Sequence, residues 1–440
     1  MRSLLKIYFN ILAEDIKFFI GLLSKMTNHN SFSALKIKDI QLFIASTAFF
    51  TLASRALAVV IGFQIYKITH NPLCLGWLGL VEAIPAISLV LFGGWVADHF
   101  NRRRILLITR LASLICALSL SLLSLGQQTN LLGLYSVIFL AGIARGFADP
   151  ANTAFEAQVV PKHLTVNAAS WISSFWISCS VIGPAIIGFV FDASSAAACY
   201  ILISIWLLIS WICMWFIGPK PQAVLNRKEP ITQSIALGWK FVFSHQPLVA
   251  AMALDLFAVL FGGMMALLPV FAQDILHVGA RGLGFLNAAP SLGALVIMLY
   301  ATRHPPIEHA GRNLLLSVAG FGVSILLFAF SKNFGFSLFA LFLTGIFDGV
   351  SMVIRRSMVR LLSPDHMRGR ISSVSWIFIC ASNELGAFES GMLAGLIGTV
   401  ACVWVGGLLT LGVVATSALL APELRRLKFD PHSLNTKKEA

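Results

Sequence analysis

Eight ionisable side chains stand inside long apolar runs: Arg55, Glu82, Arg145, Asp149, Asp255, Asp348, Glu384 and Glu389. A charge in a hydrocarbon interior is costly, so such groups are candidates for binding or for moving ions and protons. A carboxylate in apolar surroundings resists ionisation and can load and release a proton near neutral pH. Arg145 and Asp149 are four residues apart and share a helix face, so they also fit a plainer reading, a local neutralising pair. Glu389 falls close to the end of its run, where a polar rim residue is expected. No other chemistry has a matching pattern. The chain has no Gly-x-Ser-x-Gly, His-Glu-x-x-His, Cys-x-x-Cys or phosphate-loop spacing, and its ten His are scattered through loops and termini. Catalysis, a metal, a cofactor and ATP-driven pumping are therefore not expected. The seven Cys all lie in apolar runs, as small core residues do.

Membrane helices must hold these charges. Of 440 residues, 58% are hydrophobic and 12% charged, about half the charged fraction of a soluble chain. A spanning helix needs about 20 mostly apolar residues. Twelve runs qualify: 41–65, 73–96, 105–125, 131–155, 166–190, 196–217, 248–271, 282–301, 314–330, 334–354, 371–397 and 400–421. With both termini inside, 27 of the 32 Lys and Arg face the cytoplasm, Arg110 and Arg355 counted among them. Only Lys67, Arg281 and Lys332 lie outside, and Arg55 and Arg145 lie within spans. That asymmetry sets the orientation. The net charge of +13 reads as topology signal and anionic-lipid contact, not nucleic-acid binding.

The predicted organisation is an N-terminal amphipathic cytoplasmic segment (1–38), a six-helix bundle (39–217), a cytoplasmic linker (218–247), a second six-helix bundle (248–421) and a cytoplasmic tail (422–440). The first segment lacks a cleavage site and carries Glu14 and Asp15, so it is not a signal peptide. The halves echo each other. Leu75-Gly-Trp-Leu78 with Pro85 matches Leu283-Gly-Phe-Leu286 with Pro290. Pro161-Lys-His-Leu with Ser170-Trp-Ile172 matches Pro364-Asp-His-Met with Ser375-Trp-Ile377. Parallel repeats about an axis along the membrane normal produce this pattern.

Between the second and third runs lies Gly94-Trp-Val-Ala-Asp98-His-Phe-Asn-Arg102-Arg103-Arg104. Its spacing resembles the loop motif between helices 2 and 3 of the major facilitator superfamily. Asn101 replaces the usual Gly, and His99 the usual Arg. Gly183-Pro184-x-x-x-Gly188 resembles the Gly-Pro motif of the antiporter and exporter branch; ordinary use of Gly and Pro in membrane helices is the alternative. Ala148-Asp-Pro-Ala151, Leu267-Leu-Pro-Val-Phe271, Gly284-Phe-Leu-Asn-Ala-Ala-Pro290, Arg368-Gly-Arg370 and Ser382-Asn-Glu-Leu-Gly386 resemble one bacterial subgroup, that of the enterobactin exporter and macrolide efflux proteins.

The resemblance implies an all-α membrane protein of twelve transmembrane helices in two pseudo-symmetric six-helix bundles. It implies a central cavity lined by helices 1, 4, 7 and 10, hence by Arg55, Arg145, Asp255 and Asp348. Glu82 and Glu384 then face each other across the interface of the halves. Asp98 closes the cytoplasmic side, either as a latch on the start of the eleventh helix with Arg102 or Arg370, or merely as a counter-charge to its neighbouring arginines. The implied activity is proton-coupled export of a small amphipathic compound, siderophore or drug-like, by a monomer in the bacterial cytoplasmic membrane. Uptake or lipid movement, and a non-transporting receptor or scaffold, are the alternatives.

Overall fold

The computed structural model describes residues 32–126, 130–220, 237, 239–301, 304, 306, 308–364 and 367–429. Among them every regular element is helical. α1 (Lys38–Thr69), α2 (Pro72–His99), α3 (Arg102–Leu123), α4 (Leu131–Val159), α5 (Thr165–Ala193) and α6 (Ala196–Trp215) come first. α7 (Gln246–Phe261), α8 (Gly279–Ala301), α9 (Ala310–Ala329), α10 (Phe334–Leu362), α11 (Arg368–Ile397) and α12 (Thr399–Leu420) follow, and α13 (Pro422–Arg426) is a single short turn. Irregular turns carry α7 on to Ile275 after a break at Gly262-Gly263. All twelve expected runs are helices. Among the described residues eleven of them are long and apolar enough to cross a membrane. α11 packs on α2, α7 and α12.

Short polar signals set the turns. The Asn71 side chain accepts from Leu73 N at 3.0 Å, with Pro72 opening α2. Asn101 accepts from Arg104 N at 3.2 Å and so caps α3. An Asn therefore does by capping what the usual Gly of that turn does by backbone freedom. Asn130 caps α4 and Asn333 caps α10 in the same way.

Glycines bring the helices together. Gly142 of α4 meets the Glu82 carbonyl and Pro85 of α2, and Gly146 meets Ala86 and Leu89. In the second half Gly345 of α10 meets Pro290 of α8, and Gly349 meets Ala294 and Ile297. The two packings are one arrangement used twice, with an Asn cap before it. Its sequence signal is Gly142-Ile-Ala-Arg145-Gly146 against Gly345-Ile-Phe-Asp348-Gly349, a third internal repeat not among those noted above. Arg145 and Asp348 hold equivalent positions.

Contacts between the halves run through α2 with α11, α5 with α8, and α1 with α8 and with the turn Leu268–Val270 that follows α7. Gly76 packs on Gly391 and Phe388, Gly188 on Ala280 and Gly284, and Gly62 on Pro269. The Tyr66 hydroxyl donates to Asp274. Each of these pairs lies toward the end of the molecule opposite the Asp98–Arg104 turn.

The N-terminal amphipathic stretch and most of the linker 218–247 lie outside the described residues. The linker's described end is packed: Val242 is buried, and Trp239 lies against Phe378. The start of the expected tail is also packed rather than free. Leu424 is buried against α9, and Gly311 N donates to Leu427 O at 3.2 Å, because a side chain at Gly311 would overlap the crossing backbone.

Candidate functional site

Arg145 sits halfway along α4. The glycines on either side of it press α4 onto α2, which sets its guanidinium beside Glu82 at 2.9 Å. Gly79 lets α2 approach α11 at Ala387 and Glu384, so Arg145 also reaches Glu384 of the other half at 3.4 Å. Asp149, one turn along α4, completes the cluster at 3.6 Å. The expected Arg145–Asp149 pair therefore forms, but as one arm of a hub. A planar guanidinium with five donors can hold several carboxylates at once. One cation faces three carboxyl groups, so with all three ionised the cluster carries excess negative charge. Ala83, Ala86, Ile87, Val90 and Ile377 line a cleft with Arg145, Asp149 and Glu384.

A second cluster lies within the second half. Arg355 of α10 bonds Asp255 of α7 and lies 3.7 Å from Asp348. Asp255 and Arg355 are 8% and 14% exposed, so this pair is largely desolvated. Arg355 therefore does not belong with the loop charges, where hydropathy puts it, because α10 continues past the end of the apolar run. The partner of Asp255 is thus an arginine of its own half.

Arg110 likewise is no loop charge. It is 3% exposed inside the first half, where it donates to Ser46 O at 2.9 Å and to Ser210 Oγ, and lies over the Phe50 ring. Arg55 meets neither Asp149 nor Asp255. Among the described residues it has no carboxylate within ion-pair reach, and its guanidinium lies over the Trp176 ring, 5.4 Å from the centroid.

Gly183-Pro184-x-x-x-Gly188 packs in two directions. A Cβ on Gly183 would lie 2.8 Å from Leu52 O of α1, and one on Gly188 2.8 Å from Ala280 O of α8. At the α2–α3 turn Asp98 pairs with Arg102 at 3.5 Å, and Arg102 also donates to Ala97 O at 2.9 Å and Ala154 O at 3.1 Å. Arg103 donates to Trp215 O. A side chain at Gly94 would meet open space. The Arg370 side chain lies outside those described. Glu389 lies 3.4 Å from Ser390 Oγ.

Two like halves of long apolar helices, joined at mid-length by ionisable groups, define a multi-pass membrane carrier. The profile of the Major Facilitator Superfamily matches residues 43–304, and the chain belongs to that family. The resemblance carried by the Asp98 turn is thereby borne out. The enterobactin exporter EntS of Shigella boydii serotype 4 (strain Sb227) is 26% identical over 384 residues, covering 85% of this chain and 90% of that protein. EntS of Escherichia coli (strain SMS-3-5 / SECEC) matches with the same identity and coverage. Among solved structures, a POT family transporter in complex with 5-aminolevulinic acid superposes with a TM-score of 0.70 at 13% identity, covering 88% of this chain and 96% of that one. A mutant of the nucleoside transporter NupG gives 0.69 at 13% identity, covering 88% and 100%. At that identity the likeness shows the fold alone.

Proposed function

We propose that this chain is a secondary transporter of the bacterial cytoplasmic membrane that exports a small amphipathic compound, of the siderophore kind, in exchange for protons. The direction and the kind of substrate are supported by relatives described as enterobactin exporters. The observation that carries the coupling is Arg145, held by Glu82 of its own half and by Glu384 of the other. A proton taken up by one of the crowded carboxylates relieves the excess negative charge and loosens the tie between halves. A ligand or proton moves such an equilibrium only through contacts that differ between states, and a bond that exists only while the halves meet is such a contact. The basic turn at Asp98 faces the cytoplasm, with both termini, and the protein acts as a monomer in contact with anionic lipids. It is not an enzyme.

Glu384→Gln and Glu82→Gln test this reading in proteoliposomes with iron-free enterobactin as the probe. Each variant is expected to fold normally and to lose the dependence of transport on a pH gradient. Wild-type dependence in both variants would overturn the assignment of the coupling site.

A further inference from the structure

Arg55 differs from the other arginines in the middle of the helices. Arg145 has three carboxylates, Arg355 has two, and Arg110 is wrapped by carbonyl and hydroxyl oxygens. Arg55 stands near the centre of α1 and is exposed, yet among the described residues none of its N–H groups has an acceptor. A cation at that depth is costly unless it is matched.

Its surroundings are built. Gly183 lets α5 close on α1 at Leu52 and Arg55. Trp176 lies seven residues before Gly183, two turns back on the same face of α5, and this places its ring under the guanidinium. Arg55 therefore stands where α5 packs on α1, and α1 is one of the helices that the resemblance places around the central cavity together with α4, which carries the carboxylate hub.

We propose that Arg55 and Trp176 form a binding site for an anionic aromatic group of the transported substrate. The unspent donors of a guanidinium match a carboxylate or a pair of vicinal oxygens through charge-assisted hydrogen bonds. The indole offers a flat apolar surface to the ring. The negative excess of the hub repels a second anionic end, so the substrate lies with its acid at Arg55 and its uncharged remainder toward the α2–α11 side. A lipophilic cation would instead be drawn to the hub. This inference rests on the transport reading, and the test separates the two.

The full-length protein in lipid nanodiscs is titrated with salicylate and with its uncharged isostere salicylamide. Wild type is expected to bind the acid at least about tenfold more tightly than the amide, the value of one charge-assisted contact. Arg55→Gln should abolish that difference, Arg55→Lys should keep part of it, and Trp176→Ala should weaken both probes alike. Thermal unfolding monitors the fold of each variant. Equal binding of the two probes by wild type, binding of neither, or an acid preference that survives in Arg55→Gln overturns the site. Lack of proton-coupled enterobactin flux with the acid preference intact overturns the transport reading alone. Intact coupled flux without the preference overturns the Arg55 assignment alone.

Discussion

Arg145 of α4 and Arg355 of α10 each hold carboxylates of a neighbouring helix, yet they call for different outcomes on mutation. Arg145→Lys keeps the charge but replaces a planar fork with a point charge that cannot hold three carboxylates. It is expected to leave folded yield near wild type and to lower coupled transport by tenfold or more, roughly the value of one lost charge-assisted bond. Arg355→Met strands Asp255 in a site where it is 8% exposed, which costs about 3–5 kcal/mol for a buried pair. Adding Asp255→Leu should restore most of that loss, read as the unfolding midpoint in detergent. A single variant with no shift would show that the pair has no structural role. The charges themselves were legible in the sequence, as was the four-residue spacing of Arg145 and Asp149. Their partners across helices were not, because these depend on how each helix is rotated, which hydropathy does not encode. Arg110 and Arg355 read as loop charges for a related reason: apolar runs end at a charge, while the helix continues wherever protein covers it.

At the level of elements, backbone contact between helices governs the arrangement. A side chain at Gly345 would overlap the Pro290 carbonyl, whereas one at Gly94 would meet nothing within 4 Å. Gly345→Ala is therefore expected to lower folded yield and thermal midpoint, and Gly94→Ala to leave both unchanged; equal behaviour would contradict the packing of α8 on α10. Near the end of α2, Asp98 pairs with the buried Arg102 while itself remaining half-buried. If it also latches the halves in the opposite state, Asp98→Asn should raise labelling of a cysteine placed on that face and slow turnover. Unchanged labelling with normal transport leaves it as the partner of Arg102 only. The twelve helices could be read from hydropathy because each spanning run is long. The α4–α10 repeat is faint in the sequence because only two glycines and one isoleucine match while its charged position changes sign, from Arg145 to Asp348.

For the whole molecule, orientation and coupling are the decisive properties. Asn226→Cys, in a background without other cysteines, should resist an impermeant thiol reagent added outside intact cells. Labelling from outside would reverse the topology and place the Asp98 turn on the wrong side. Coupling is tested most directly by purified protein in sealed proteoliposomes carrying a pH-sensitive dye. Addition of iron-free enterobactin to one side is expected to drive proton movement to that side, in wild type and not in Glu384→Gln. Substrate flux with no accompanying proton movement would contradict proton-coupled export.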